Sequence, residues 1–146
     1  MHPALKKLGT MGIVAGLAYL TVFGMPPSLL GEVVEVETYD PRGVSFQTSA
    51  WIVDGHGDHW LRAGSPEASW LARLRAEPRV QITREGVRTS FRAEIAEGSA
   101  DRVNFLMREK YGRSDELMMA LRDPSEVTAI RLVPLTQAQG WSEQYP

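Results

Sequence analysis

The run Leu61-Arg62-Ala63-Gly64-Ser65-Pro66 holds the residues best suited to binding an anion. A strand that ends at glycine, with a serine capping the helix that follows, offers free backbone N–H groups and a partial positive charge. Arg62 can add a two-point guanidinium contact, the natural partner of a phosphate. The competing reading is a plain helix cap, with Arg62 paired to an acidic neighbour. Trp51, Trp60 and Trp70 form a second set. A flat aromatic ligand can stack on one of them, although tryptophan is ordinarily core. Tyr111 ends an apolar helical stripe, where a tyrosine either packs or reaches a ligand, and the neighbouring Lys110 closes the same helix. His56 and His59, with Asp54 and Asp58, flank a tight turn. They read as solvated turn residues, since a metal site there needs further ligands. Arg88 and Arg92 lie on the wet face of their strand and read as solvated or paired.

Other chemistries are ruled out by what the chain lacks. It has no cysteine, so disulfides, thiolate nucleophiles and iron–sulfur ligation are excluded. It contains no Gly-x-Ser-x-Gly, no P-loop and no Gly-x-Gly-x-x-Gly. Sixteen basic residues against eighteen acidic ones give −2, without the basic excess of a nucleic-acid binder. The charge is nevertheless uneven. Residues 32–61 carry −5 and residues 62–92 carry +4, and the basic half begins at the candidate anion site.

These residues must be positioned by short elements. Glu32–Tyr39 alternates as a half-buried strand, followed by a turn at Asp40-Pro41-Arg42-Gly43. Val44–Val53 and Asp58–Ala63 read as two strands joined at Asp54-Gly55-His56-Gly57, where glycines supply positive φ. Ser65, Pro66 and Glu67 open a helix that Pro78 ends. Arg79–Arg84 and Val87–Ala96 form a hairpin around Glu85-Gly86. Ser99 caps a helix to Tyr111, with Gly112 beyond its end, and Ser114 caps another that Pro124 ends. Val127–Val133 is the last strand. Six strands, mostly joined by hairpins, predict a small closed antiparallel barrel with helices outside.

The chain has 146 residues, and from Leu8 to Gly31 no side chain is charged. Residues 1–31 are therefore set apart from a domain over 32–136 and a polar tail over 137–146 that includes Trp141 and Tyr145. As a helix, Leu8–Gly24 spans about 25 Å, against a hydrocarbon core of about 30 Å. Met25, Leu29 and Leu30 extend it, and Pro26-Pro27 breaks it. Lys6 and Lys7 before, and Glu32, Glu35 and Glu37 after, predict a single-pass anchor over residues 8–30 with the N-terminus cytoplasmic and the domain outside. The rivals are a signal peptide cleaved after Gly24, which gives a secreted domain, and a buried helix of a cytoplasmic protein.

The run Trp70-Leu71-Ala72-Arg73-Leu74-Arg75-Ala76-Glu77-Pro78-Arg79-Val80 resembles the Trp-x-x-x-Leu-x-Ala-x-Pro-x-Val run of the deazaflavin-dependent nitroreductase branch of the flavin-binding split barrels. That superfamily also includes the pyridoxamine phosphate oxidases. Thr48-Ser49 before a glycine hairpin, a strand running into Gly64-Ser65, and Thr128-Ala129-Ile130-Arg131-Leu132-Val133-Pro134 agree in the same order. The resemblance spans residues 33–135. It implies a six-stranded split barrel with flanking helices, usually a homodimer with the cofactor between subunits. It also implies FMN or a deazaflavin, and a two-electron reaction with a small-molecule electron acceptor such as a quinone or nitro compound. By position, Thr48, Ser49 and Trp51 would line the ring, and Arg62, Gly64, Ser65 and Trp70 the phosphate and ribityl side. The same barrel can also hold a flavin, haem or other small ligand without turnover. Two customary lysines of the superfamily are absent: Asp40-Pro41-Arg42-Gly43-Val44-Ser45 replaces Gly-Arg-Lys-Ser-Gly, and Trp70 stands where the FMN oxidases carry lysine.

Overall fold

The computed structural model describes residues 31–135. The hydrophobic segment over residues 8–30 and the tail over 137–146 lie outside the described residues. Among the described residues, no helix is long and apolar enough to cross a membrane.

The strands are β1 Val33–Tyr39, β2 Ser45–Gly55, β3 Asp58–Ala63, β4 Arg79–Arg84, β5 Val87–Ile95 and β6 Thr128–Pro134. The helices are α1 Ser69–Ala76, α2 Ala100–Tyr111 and α3 Arg113–Met119, followed by a 3-10 turn at Pro124–Glu126. The strands close in the order β1-β2-β3-β6-β5-β4, with every neighbour antiparallel. The expected six-stranded antiparallel barrel is thus present.

Alternation decides what fills it. Val34, Val36, Ala50, Ile52, Leu61, Ala63, Val80, Ile82, Phe91, Ala93, Ile130 and Leu132 point inward and form one buried cluster. Leu71 and Leu74 of α1 join it. The chain leaves β3 and re-enters at β4 at the same end of the barrel, and the two strands are not neighbours, so α1 caps that mouth. Arg73 ties it down, donating from Nε to Thr38 Oγ1 at 2.8 Å and lying 4.4 Å from the Phe46 ring. A second cluster lies outside the barrel wall, where Val103, Met107 and Tyr111 of α2 cover Trp51, Val53, Trp60 and Ala129.

Three local expectations are corrected. The helix expected from Ser65 begins at Ser69, behind the non-helical Ala68 (φ −57°, ψ 126°). Ser65 instead makes its own turn: its Oγ accepts from the Glu67 N–H at 3.2 Å and its carbonyl from the Ala68 N–H at 3.2 Å. Such local bonds compete with helix. Ser114 is not a cap, because α3 starts at Arg113 behind Gly112. In the β2–β3 hairpin, positive φ falls on His56 (54°) and Gly57 (83°), while Gly55 stays in the strand. A two-residue turn with positive φ at both positions matches the twist of the flanking strands.

Replacing Ile130, fully buried in the barrel, with Ala should cost about 2–5 kcal/mol. The check is urea unfolding, where the midpoint should fall at unchanged slope.

Candidate functional site

Six of the seven residues singled out for cofactor binding lie on β2 or on β3 and the corner after it, the two strands that part in the barrel wall, and the seventh, Trp70, lies on α1. β2 and β3 are paired only from Ile52↔Leu61 to Gly55↔Asp58. Beyond Ile52, β2 remains paired with β1, up to Tyr39↔Ser45, and beyond Leu61, β3 remains paired with β6. The β2 lip carries Thr48, half-buried on the inward face, and Ser49, exposed on the outward face. The β3 lip carries Arg62 and runs into the corner Gly64-Ser65. Trp70 packs from α1 against the barrel interior.

Two of the seven are committed elsewhere. Arg62 points outward beneath the helices, and its guanidinium binds the Asp115 carboxylate of α3 and, at 3.2 Å, Asn104 Oδ1 of α2. The Arg62 and Asp115 side chains are only 6% and 3% exposed. Of the two sequence readings for Arg62, the structure has the one with an acidic partner, which arrives from 53 residues away. Trp51 is stacked on Tyr111, with ring centroids 4.4 Å apart and planes 9° from parallel. Its Nε1 and that of Trp60 are buried without a hydrogen-bond partner among the described residues.

Tyr111 and Lys110 seal a sheet edge. β1 begins at Val33, opposite Trp51, so Ile52 has no β1 residue beside it. The Tyr111 hydroxyl takes that place. It accepts from the Ile52 N–H at 3.2 Å, and its one proton serves the carbonyl of Ile52 or Glu32, each 2.7 Å away. Lys110 Nζ donates to the Ile52 carbonyl at 2.8 Å and to Glu32 Oε1 at 2.6 Å. Burial pushes the Tyr111 hydroxyl above its ordinary pKa, which suits a structural hydroxyl rather than an acid.

The opposite mouth of the barrel holds the turn histidine that sequence reading left to solvent. Arg84 bridges Glu32 (2.7 and 2.8 Å) and Asp54 (2.9 and 3.1 Å), and His59 Nδ1 lies 2.5 Å from Asp54 Oδ1. The Arg84 hydrogen bonds, helped by His59, lower the Asp54 carboxyl to about 2. Among the described residues, no group of three or more His, Cys, Asp or Glu side chains could hold a metal ion. Asp58 approaches Arg131 at 3.8 Å, and Arg88 and Arg92 pair with Glu37 and Glu94.

Sequence reading missed Arg122. This residue follows α3, and its guanidinium rests on Gly64: a Cβ built at Gly64 would lie 2.1 Å from Nη1 and 2.9 Å from Cζ. Nothing in the local pattern links residue 122 to residue 64; only the return of α3 toward the end of β3 does. Arg122 is exposed, and its guanidinium lies over the backbone at the Gly64-Ser65 corner.

Asp115→Ala should cost about 3–5 kcal/mol, because it strands a buried charge, whereas the paired change Arg62→Met with Asp115→Leu should match or exceed the parent. Urea midpoints of the three proteins check this. Asp54, with its carboxyl depressed in the folded state, contributes stability that is complete above about pH 4 and is lost as pH falls toward 2. Acid unfolding of Asp54→Asn should therefore show a shallower loss over that interval than the parent.

No protein-family model and no curated protein matches the sequence. Solved structures do. The haem-storage protein HutZ from Vibrio cholerae superposes with a TM-score of 0.58 at 18% identity, over 72% of this chain and 82% of its own. A putative pyridoxamine 5'-phosphate oxidase from Listeria innocua gives 0.55 at 11% identity, over 75% and 90%. An F420-H2 dependent reductase gives 0.56 at 18% identity, over 69% and 93%. The chain thus shares the split-barrel fold of these proteins, the fold that its resemblance to the flavin-binding split barrels implied.

Proposed function

We propose that this chain binds a flavin-type cofactor, FMN or a deazaflavin, and works as an oxidoreductase of the nitroreductase or quinone-reductase type. The observation that carries the reading is the seam between β2 and β3, which gathers Thr48, Ser49, Gly64 and Ser65 on a barrel resembling that of a reductase and a putative oxidase. When bound, such a cofactor supplies the hydride chemistry, and the protein's part is to hold it and exclude water. Gly64 and Ser65 would hold the phosphate, with Thr48 and Ser49 beside the ring. Trp51 backs the β2 lip from beneath Tyr111, and Trp70 steadies α1. The proposal includes a homodimer, a small-molecule electron acceptor, and an anchor over residues 8–30 that places the domain outside the cytoplasm. The last rests on the uncharged stretch and its flanking charges.

One observation favours a second reading, in which the barrel binds a flavin, haem or other small ligand without turnover. The β2 lip offers hydroxyls, and Arg62, the cation on β3 itself, is already paired with Asp115. The neighbour HutZ is described as a haem-storage protein.

The full chain, purified in detergent, should perturb the visible spectrum of added FMN or deazaflavin, and the reduced complex should pass electrons to a quinone or a nitro compound. Saturable binding with no transfer selects the second reading. A spectrum unchanged by FMN, deazaflavin or haem would sink both.

A further inference from the structure

Arg62 is the cation that sequence reading assigns to an anionic group at the end of β3, yet its charge is already neutralised there. Asp115 occupies its guanidinium, Asn104 takes another N–H, and the pair is closed to solvent. A phosphate reaching Arg62 would have to expel a carboxylate from a buried site and leave that carboxylate uncompensated.

A different cation stands at the same corner. Arg122 leaves the chain between α3 and the 3-10 turn, in an exposed stretch, and folds back so that its guanidinium lies over Gly64. Among the described residues the guanidinium has no ion pair and no hydrogen bond, whereas Arg62, Arg84, Arg88, Arg92 and Arg131 each hold a carboxylate. The contact exists because residue 64 lacks a side chain; any Cβ there would displace the guanidinium. The neighbouring Ser65 Oγ accepts from the Glu67 N–H, so its hydroxyl proton is available to a ligand. A solvated, unneutralised guanidinium and a serine donor on one corner can bind a phosphate that the buried Arg62 cannot reach.

We propose that Arg122, and not Arg62, binds the ribityl-linked phosphate of the cofactor, at the Gly64-Ser65 corner. The inference rests on the cofactor reading above. It makes Arg122 a specificity residue that distinguishes FMN from riboflavin, which has the same ring and chain but no phosphate.

Three forms of the full chain test this, the parent, Arg122→Ala and Gly64→Ala, each titrated with FMN and with riboflavin. Gly64→Ala keeps the charge but pushes the guanidinium off the corner. Both variants should bind FMN about 10- to 100-fold more weakly, the range of one lost charge-assisted contact, with riboflavin affinity unchanged. Equal losses for FMN and riboflavin would reveal a merely structural role, and an unchanged FMN affinity in Arg122→Ala would overturn the assignment outright. Inorganic phosphate, followed through the amide resonances of Gly64 and Ser65, separates the two layers of the argument. If the parent binds neither flavin but phosphate shifts those amides only when Arg122 is present, the cofactor reading falls and the anion site stands. If phosphate gives no Arg122-dependent shift, the anion site falls whatever the flavins do.

Discussion

Closure of β1 onto β4 is the constraint on which the rest of the structure depends. Glu35↔Thr83, Val36↔Ile82 and Glu37↔Gln81 join the first strand to the fourth and turn an open sheet into a barrel. Once closed, the interior can be filled only by side chains from alternate positions and by what enters through a mouth. The inward set is dominated by Val, Ile, Leu and Ala, so the interior is a packed core and not a ligand cavity. Any ligand must be met on the outside or where the wall parts, as it does between β2 and β3 beyond Ile52 and Leu61.

The two ends of the barrel solve different problems. At one mouth α1 supplies Leu71 and Leu74 as a plug, anchored through Arg73. At the other, the strand ends are tied by ions: Arg84 between Glu32 and Asp54, Lys110 on Glu32, and His59 on Asp54. Such half-exposed pairs contribute little one by one, but here they link β1, β2, β3, β4 and α2 in one network. Arg62 and Asp115 perform the same service in a dry setting for α3, a short helix whose buried residue is Asp115.

Much of this was legible because it is local. Strict alternation in Val87–Ile95 and β-branched runs in the other strands identify all six strands to within two residues. The Trp70–Val80 run carried the resemblance from which the split-barrel fold was expected. What escaped depends on contacts between distant residues or on competition between local hydrogen bonds. The partner of Arg62 lies on a helix that the pattern around residue 62 does not mention. Trp51 looks like an available aromatic surface until Tyr111 is laid on it. Ser65 has the right type for a helix cap, yet it bonds to Glu67, and the cap position falls three residues later, at Ala68. Positive φ at His56 was unreadable because an adjacent glycine, Gly55, offers the same freedom and is used instead for packing under Leu106.

Glu32 has a mechanical consequence. It is the first residue beside β1, its carboxylate is held by Arg84 and Lys110, and its carbonyl lies within reach of the Tyr111 hydroxyl. β1 itself lies between β2 and β4, with inter-strand hydrogen bonds across its axis on both sides. A pull on the chain at residue 31, along that axis, would meet the Glu32 clamp first and would then load both ladders in shear together instead of unzipping them one bond at a time.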